Sequence, residues 1–551
     1  MTLHRLFPGT ASSQRVRQAL DELRREHQVP VGFPPEVASE AAAVAAAWEN
    51  LDWPAPSSVP SFASGPAPSP ASGAAPSPDP HPAPRLEPVS ALPHGALPLD
   101  PSAVAAARSA LPGRVPALDM RHVPLVTIDP PQSRDLDQAV HIEQRARGFV
   151  IHYAIASLAT FVTPGGALDQ EVRSRATTIY APDYATPLHP SEVSESAASL
   201  LPGVDRPAYM WRFELNERGE VDATALTHAL VRSRAQLSYA QVQEAVEGRA
   251  TLPAAPDLPA LLKAVGILLR ARELERGGIS LRTPAQEVEK VPGGYHLTYA
   301  ATLPVEEWNA QISLLTGMEA ARLMRAAGVG ILRTLPPPGE AEIERLRIAA
   351  RALGLQWPRE MGYPEFVRGL SSTDPAEAAF LAATPALFRG AGYLPFGGPC
   401  APLPGDDVAA LTHGSIAAPY AHVTAPLRRL VDRFGLEICL AQANGHPVPS
   451  WVLEALPELP QQMATGGRKA RALDAGAVAA LEALVLAGQE GNEFPAVLLD
   501  AGREGNFATA MLREPAVIIP VSGTELRAAS EVRVRIVAVD VPARSVQAQV
   551  V

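Results

Sequence analysis

Apolar residues recur every three to four positions over residues 12 to 27, where Val16, Ala19, Leu20 and Leu23 follow the capping candidates Ser12 and Ser13. The same spacing returns over 35 to 51 with Val37, Val44, Trp48 and Leu51. It predicts two helices and, with them, a small helical module over residues 1–53. A helix-turn-helix-like arrangement is open to that module, with Arg15, Arg17, Arg24 and Arg25 as a basic face. The same arginines serve equally as the solvated side of an amphipathic helix. The pattern then dissolves. Residues 54–101 are dominated by Pro, Ala, Ser and Gly, too few large apolar side chains to offset the entropy of ordering, and read as an extended linker. A β-branched run, Val123 to Ile128, predicts a buried strand that ends at Asp129, because Pro130 and Pro131 forbid further ladder bonding. Strands follow at Ala139 to Glu143, across Gly148 to Ala156, and on either side of Glu217 to Gly219. Helical spacing returns over 258–277, 305–327 and 451–489. From Asn492 the runs Phe494–Leu499, Ala516–Val521, Val532–Val541 and Ser545–Val551, with Gly502, Gly505 and Gly523 between them, suggest a small OB-type barrel over 491–551. The fold class is therefore α+β: a large mixed domain over 118–490 between a helical module and a barrel.

Composition narrows the classes. Two cysteines, Cys400 and Cys439, exclude a disulfide framework and a zinc site and fit a reducing compartment. No apolar run reaches the ~18 residues of a spanning helix and the amino terminus lacks the apolar segment of a signal peptide, so no membrane is expected and the location expected is the cytoplasm. A formal charge of −11 excludes a generally sticky nucleic-acid binder, so any nucleic-acid contact needs a local basic surface. The cations are nearly all arginine, Lys263, Lys290 and Lys469 being the lysines. Guanidinium forks suit phosphate, although such a bias also follows from genome base composition.

The candidate chemistry lies after the first predicted strand. Asp129, Asp135 and Asp137 share one loop between two strands, so their oxygens can converge on one point. Convergent carboxylates repel unless a cation sits between them, and hard oxygen donors select Mg²⁺, with Mn²⁺ as the alternative, over zinc. A lone D-x-D is more often an acidic turn capping backbone amides, and on these residues alone both readings stand.

The surrounding residues narrow them. The run Thr127-Ile-Asp-Pro-Pro-Gln-Ser-Arg-Asp-Leu-Asp-Gln138-Ala-Val resembles the signature of the RNB catalytic domain of ribonuclease II-type 3′→5′ exoribonucleases, approximately T-I-D-x(4)-R-D-[IL]-D-D-A, with Gln138 where the family has a fourth aspartate. The resemblance continues downstream. Val150 to Ile155 aligns with V-H-I-A-D-V, its aspartate replaced by Ile155. Arg173 to Pro182 is similar to the run that ends R-x-x-S-x-Y-x-P and contains Tyr180. Arg232 to Tyr239 matches I-x-S-x-A-x-L-x-Y, and Tyr420-Ala-His-Val-Thr-Ala-Pro-Leu-Arg-Arg429 matches Y-x-H-[FW]-T-S-P-[IL]-R-R. Gln311 and Gly317 occupy places where the family has a glutamate and an asparagine. No β-rich segment of the kind that guards the RNA entrance in the family precedes residue 118.

The resemblance implies a Mg²⁺-dependent, processive 3′→5′ exoribonuclease that acts as a monomer on single-stranded RNA and releases nucleoside 5′-monophosphates. Asp129, Asp135 and Asp137 are the implied metal ligands, and Gln138 offers one carbonyl oxygen without charge. Asp137, Arg428 and Tyr180 are the implied catalytic set, with Arg428 neutralising charge at phosphorus. Tyr180, Tyr239, His422, Arg428 and Arg429 are implied to contact RNA. From the residue alone Tyr180 is a core tyrosine; from its matched position it is a stacking face for a base, a contact worth roughly 1–3 kcal/mol. Tyr239 divides between packing and the RNA channel. Thr424 is a candidate N-cap with Pro426 in the first turn, which places Arg428 and Arg429 at the positive end of a helix. There they need an anion, supplied by phosphate or by a buried carboxylate. Two rivals remain: an RNB-fold RNA-binding protein that is catalytically weak or inactive through Gln138, Ile155, Gln311 and Gly317, and a metal-dependent phosphohydrolase of small molecules, for which the barrel has no purpose.

Overall fold

The computed structural model describes residues 11–55, 85–86, 96–279, 285–291, 294–300, 302–370, 374, 376–377, 380–381, 384–403, 411–499, 506–512, 514–515 and 517–551. Two helices, α1 (Ser13–Glu26) and α2 (Pro35–Glu49), form where the apolar spacing places them. Their apolar stripes go to different partners. Val16, Leu20 and Leu23 of α1 are buried with Leu473, Ala477, Leu481 and the interior of the carboxy-terminal barrel, whereas Val37, Ala41, Val44 and Trp48 of α2 join the large core around the central sheet. A helix-turn-helix packs its helices on each other, so that reading is corrected. Arg24, read as part of a basic face, is 1 % exposed, while Arg15, Arg17 and Arg25 do face solvent. Most of the linker expected over 54–101 lies outside the described residues. Among those described before residue 118, the strands are two-residue pieces at Ala11–Ser12, Arg85–Leu86 and Leu97–Pro98.

The central sheet is an antiparallel meander of β1 (Gln138–Gln144), β2 (Phe149–Ala156), β3 (Asp205–Leu215) and β4 (Val221–Arg232). Leu118–Asp119 extends it, parallel to β4. Strands β2 and β3 are buried along most of their length, which explains why they read as nearly unbroken apolar runs rather than as an alternation. The strand expected over Val123 to Ile128 is shorter: Thr127–Ile128 pairs parallel to Gln236–Leu237, and Val126 forms a single antiparallel bridge to Val140.

Five helices matter to the site: α3 (Ala167–Arg175), α4 (Leu258–Glu275), α5 (Pro304–Ala327), α6 (Leu430–Ala443) and α7 (Leu459–Leu486). Every residue of α6 from Leu430 to Ala441 is buried, so its charges must be paired. They are. Asp432 holds Arg429, Arg433 meets Asp169, and Glu437 takes Arg114 and the Tyr209 hydroxyl. The single helical stretch expected over 451–489 is two helices, Ser450–Ala455 and α7.

The chain ends in a closed five-stranded barrel: β5 (Glu493–Leu498), β6 (Phe507–Leu512), β7 (Val517–Ser522), β8 (Glu531–Asp540) and β9 (Ser545–Val550), in the order β5-β6-β7-β9-β8. Strand β6 is not among the expected runs, since alanine and threonine dilute its apolar signal. Among the described residues no helix is long and apolar enough to cross a membrane.

Candidate active site

The acidic loop is braced at both ends by backbone bonds. Thr127 N–H and Asp129 N–H donate to the carbonyls of Ala235 and Leu237, so the loop leaves from a two-residue parallel pair. At the far end Leu136 N–H donates to Ser199 Oγ at 3.0 Å, and Ala156 N–H donates to the Asp137 carbonyl at 2.9 Å. Between them, Gln236 Nε2 holds the Ser133 carbonyl at 2.9 Å. A proline-stiffened loop with five such ties presents its carboxylates in a fixed arrangement.

A segment 290 residues away closes over it. Leu427 N–H donates to Asp137 Oδ1 at 2.8 Å, and Arg428 Nε lies 3.3 Å from Asp137 Oδ2. The helix expected to begin at Thr424 begins at Leu430, with Arg429 as its cap residue. The reason is Asp432: its carboxylate accepts Ala425 N–H at 2.7 Å and both prongs of Arg429 at 2.9 and 2.8 Å, which holds residues 425–429 as a turn ahead of the helix. Arg428 and Arg429 therefore do not sit in a first helical turn, and their anions here are carboxylates. Arg429 is locked to Asp432, whereas Arg428 remains nearly half exposed beside Asp137.

Electrostatics favour a cation at this point. Burial pushes Asp129 up to about 6, with Asp135 adding repulsion, and pushes Asp137 up to about 8 despite the opposing pull of Arg428. Asp135 is raised for the same reason, burial. Asp129 Oδ2 is buried with no hydrogen-bond partner, an oxygen that a metal ion would satisfy. The donor set thus fits a hard divalent cation. The convergence is looser than expected, however: among the described residues no three His, Cys, Asp or Glu side chains close on a common point tightly enough to hold one ion.

Gln138 is placed differently from the expectation that its carbonyl oxygen faces a metal. That oxygen accepts from the Tyr153 hydroxyl and, at 3.3 Å, from Ser313, while Nε2 donates to the Thr424 carbonyl at 2.5 Å. Its cross-strand partner is Ile155, so the two positions where this chain lacks an expected aspartate lie side by side on one face of β1 and β2. Gln311 donates to the buried Glu273 at 2.7 Å. A Cβ on Gly317 would lie 2.0 Å from Tyr420 Cε2, so the Tyr420 ring fills the space of the absent side chain.

Tyr180 exposes 52 % of its surface, yet its hydroxyl end points inward beside Asp135 and Arg428, and burial of that end pushes its pKa up to about 12. It stands on a small hairpin in which Ile179 and Thr186 exchange two backbone bonds, and the base of the hairpin is tied to the Arg428 carbonyl by Thr178 N–H and Thr177 Oγ1, each at 3.0 Å. Tyr239, partly buried, opens a helix behind a Ser238–Gln241 capping box and lies close to Asp129. His422 is walled by Tyr393 and Tyr420, shares a 2.8 Å hydrogen bond with the Tyr393 hydroxyl, and is held neutral by burial and by Arg429. The structure thus brings Asp129, Asp135, Asp137, Tyr180, Tyr239 and Arg428 into one neighbourhood. Asp432, Tyr153 and Ser313 escaped the sequence. Asp432, three residues after Arg429, was the one with a legible signal.

Comparisons with known proteins place this geometry. Residues 117–435 match the model of the RNB domain, and residues 492–551 match that of the RNase II-type exonuclease C-terminal S1 domain. The chain is 28 % identical over 358 residues to Ribonuclease R of Escherichia coli, covering 61 % of this chain and 41 % of the relative. It spans between 30 % and 41 % of the length of the curated relatives it matches. Among solved structures it resembles Mycoplasma genitalium RNase R in complex with ribose methylated single-stranded RNA, with a TM-score of 0.69 at 17 % identity over 79 % of this chain and 71 % of that one. It also resembles yeast Ssd1, a pseudonuclease, with a TM-score of 0.58 at 15 % identity over 75 % and 52 % of the two chains. At these identities the structural likeness establishes the fold.

Proposed function

Since the chain belongs to the RNB-domain exoribonuclease family, we propose that it is itself an active exoribonuclease, degrading single-stranded RNA from the 3′ end, processively, to nucleoside 5′-monophosphates. The observation that carries the reading is the trio of Asp137, Leu427 N–H and Arg428: a buried carboxylate held by one backbone donor beside a half-exposed guanidinium. Asp129, Asp135 and Asp137 would hold Mg²⁺ or Mn²⁺, which supplies an activated water and a Lewis acid for the phosphoryl oxygens. The exposed side of Arg428 meets the phosphate charge that develops during displacement. The Tyr180 ring, open to solvent while its hydroxyl is anchored, offers a face for the terminal base. Arg429 and His422 act behind these groups, one fixing the turn through Asp432 and the other wedged between two tyrosines. The working unit is a monomer in the cytoplasm.

One observation favours a second reading, an RNB-fold protein that binds RNA and turns it over poorly: Gln138 and Ile155 leave a neutral pair where two acids are expected. A 5′-labelled oligoribonucleotide incubated with Mg²⁺, then with EDTA, separates the two. Mononucleotide release that stops with EDTA and is abolished in Asp137→Asn, with RNA affinity changed by no more than a few-fold, supports the active reading. Binding without release supports the second, and turnover by Asp137→Asn within tenfold of the parent overturns the metal assignment.

A further inference from the structure

The hairpin that carries Tyr180 is held at its base by Thr177 and Thr178 and through Ile179, which is buried among Leu20, Leu23 and the barrel residues. Its tip, residues 181–185, has another anchor. Arg24, on α1 and 159 residues earlier in the chain, sends Nη1 to Asp183 Oδ2 at 2.8 Å and Nη2 to Asp183 Oδ1, and Nη2 also reaches the Tyr184 carbonyl at 3.2 Å. The guanidinium carbon stacks 3.7 Å from the centre of the Tyr184 ring. The ion pair is dry, with 1 % of the Arg24 side chain and 3 % of the Asp183 side chain exposed. Burial opposes the charge on Arg24, but Asp183, Tyr184 and Asp21, the last 3.2 Å from Nη1, together turn the net direction upward. Among the described residues, the side-chain hydrogen bonds that reach this tip from elsewhere in the chain come from Arg24.

Beneath the hairpin lies a cavity of about 210 Å³ lined by Gln28, Arg175, Thr177, Ile179, Thr186 and Lys469. A hairpin with space below it and two exposed tyrosines above it is not fixed by packing alone. A bidentate clamp at its tip adds a directional restraint to those at its base.

We infer that Arg24 is a positioning residue for the nuclease site: the amino-terminal helix, through the Arg24–Asp183 clamp, sets the height of the Tyr180 ring above the acidic loop. The inference rests on the exoribonuclease reading for its activity arm only.

The test uses the full-length protein and 5′-labelled oligoadenylate, with amide hydrogen exchange of residues 179–186 read in parallel. Arg24→Ala and Asp183→Asn are expected to lower kcat by about tenfold or more, the scale set by small misplacements of reacting groups, and to lengthen the final oligonucleotide, as is expected of Tyr180→Ala, which removes the stacking face itself. Arg24→Lys, which keeps charge and loses the fork, recovers part of both. Arg544→Ala breaks the Arg544–Glu26 pair that joins α1 to the barrel without touching the hairpin, and is expected to leave both unchanged. Hairpin exchange rises in Arg24→Ala and Asp183→Asn and stays at the parent level in Arg544→Ala. Should Arg24→Ala fail to fold, Asp183→Asn and Arg24→Lys decide. Folded variants with the parent's end product, kcat within twofold and unchanged hairpin exchange overturn the inference. If the parent itself releases no mononucleotide, the functional reading falls, and hydrogen exchange alone still decides whether the clamp holds the hairpin.

Discussion

Gln138 is satisfied by partners that an amide serves and an acid does not: it accepts from two hydroxyls and donates to the Thr424 carbonyl. Replacing it by glutamate sets a carboxylate against that carbonyl, and about 1–3 kcal/mol of stability should be lost. The midpoint of urea unfolding at constant slope reads the loss. Gln138→Asp is shorter still and loses the Thr424 bond outright. It is expected to melt earlier with no fall in the Mg²⁺ needed for half-maximal cleavage, and a sharp fall would return residue 138 to the ligand set. His189 offers a pH test at the same scale. Its ring shares a 3.1 Å contact with the Leu427 carbonyl, and burial holds its pKa down at about 3. The unfolded state, near 6.5, binds the proton first, so the stability this neutral ring contributes is intact at pH 7. It is lost as pH falls below 6.5 toward 3, by about 1.4 kcal/mol per unit. His189→Gln should flatten the stability–pH profile between pH 6.5 and 5 relative to the parent.

At the scale of elements, α5 meets the Tyr420 segment without clearance at Gly317. Alanine there would place its Cβ against the Tyr420 ring and 2.7 Å from the Ala421 carbonyl. Such overpacking costs typically 1–3 kcal/mol, and because Tyr420 walls His422, Gly317→Ala should lose activity along with melting temperature. Elements with a strong internal period are legible in the sequence alone: α1, α2, α4 and α5 lie within a few residues of where their apolar stripes put them. So is the acidic loop, whose carboxylates are neighbours in sequence. The start of α6 is not. Thr424 and Pro426 carry good local capping chemistry, but Asp432 captures Ala425 N–H and Arg429, and this tertiary claim moves the helix start to Leu430. The partners of Gln138 are illegible for a related reason, since Ser313 and Thr424 lie far off in the chain and only the fold brings them near. The docking of α1 and α2 into two different cores leaves no trace in their own periodicity.

At the scale of the molecule, the amino-terminal helices are structural members of the domains they touch. Deleting residues 1–53 would uncover Leu473, Ala477 and Leu481 on α7, where Leu23 packs into the notch at Gly476, and would also open the α2 face of the central core. With fully buried aliphatic side chains contributing roughly 1.5–3 kcal/mol each, the truncated protein should melt well below the parent and self-associate. Differential scanning fluorimetry and size-exclusion chromatography check this, and an unshifted, monodisperse truncation would show that the helices are dispensable. The 290-residue span between Asp137 and Leu427 also sets a clock on synthesis. At about 5–20 residues per second, the acidic loop leaves the ribosome roughly 15–60 s before the turn that completes it. On the exoribonuclease reading, a nascent chain therefore carries the three carboxylates without the arginine that faces them, beside the very message being translated. Ribosome-bound chains arrested before residue 425 should release no mononucleotide, whereas chains arrested beyond the barrel should.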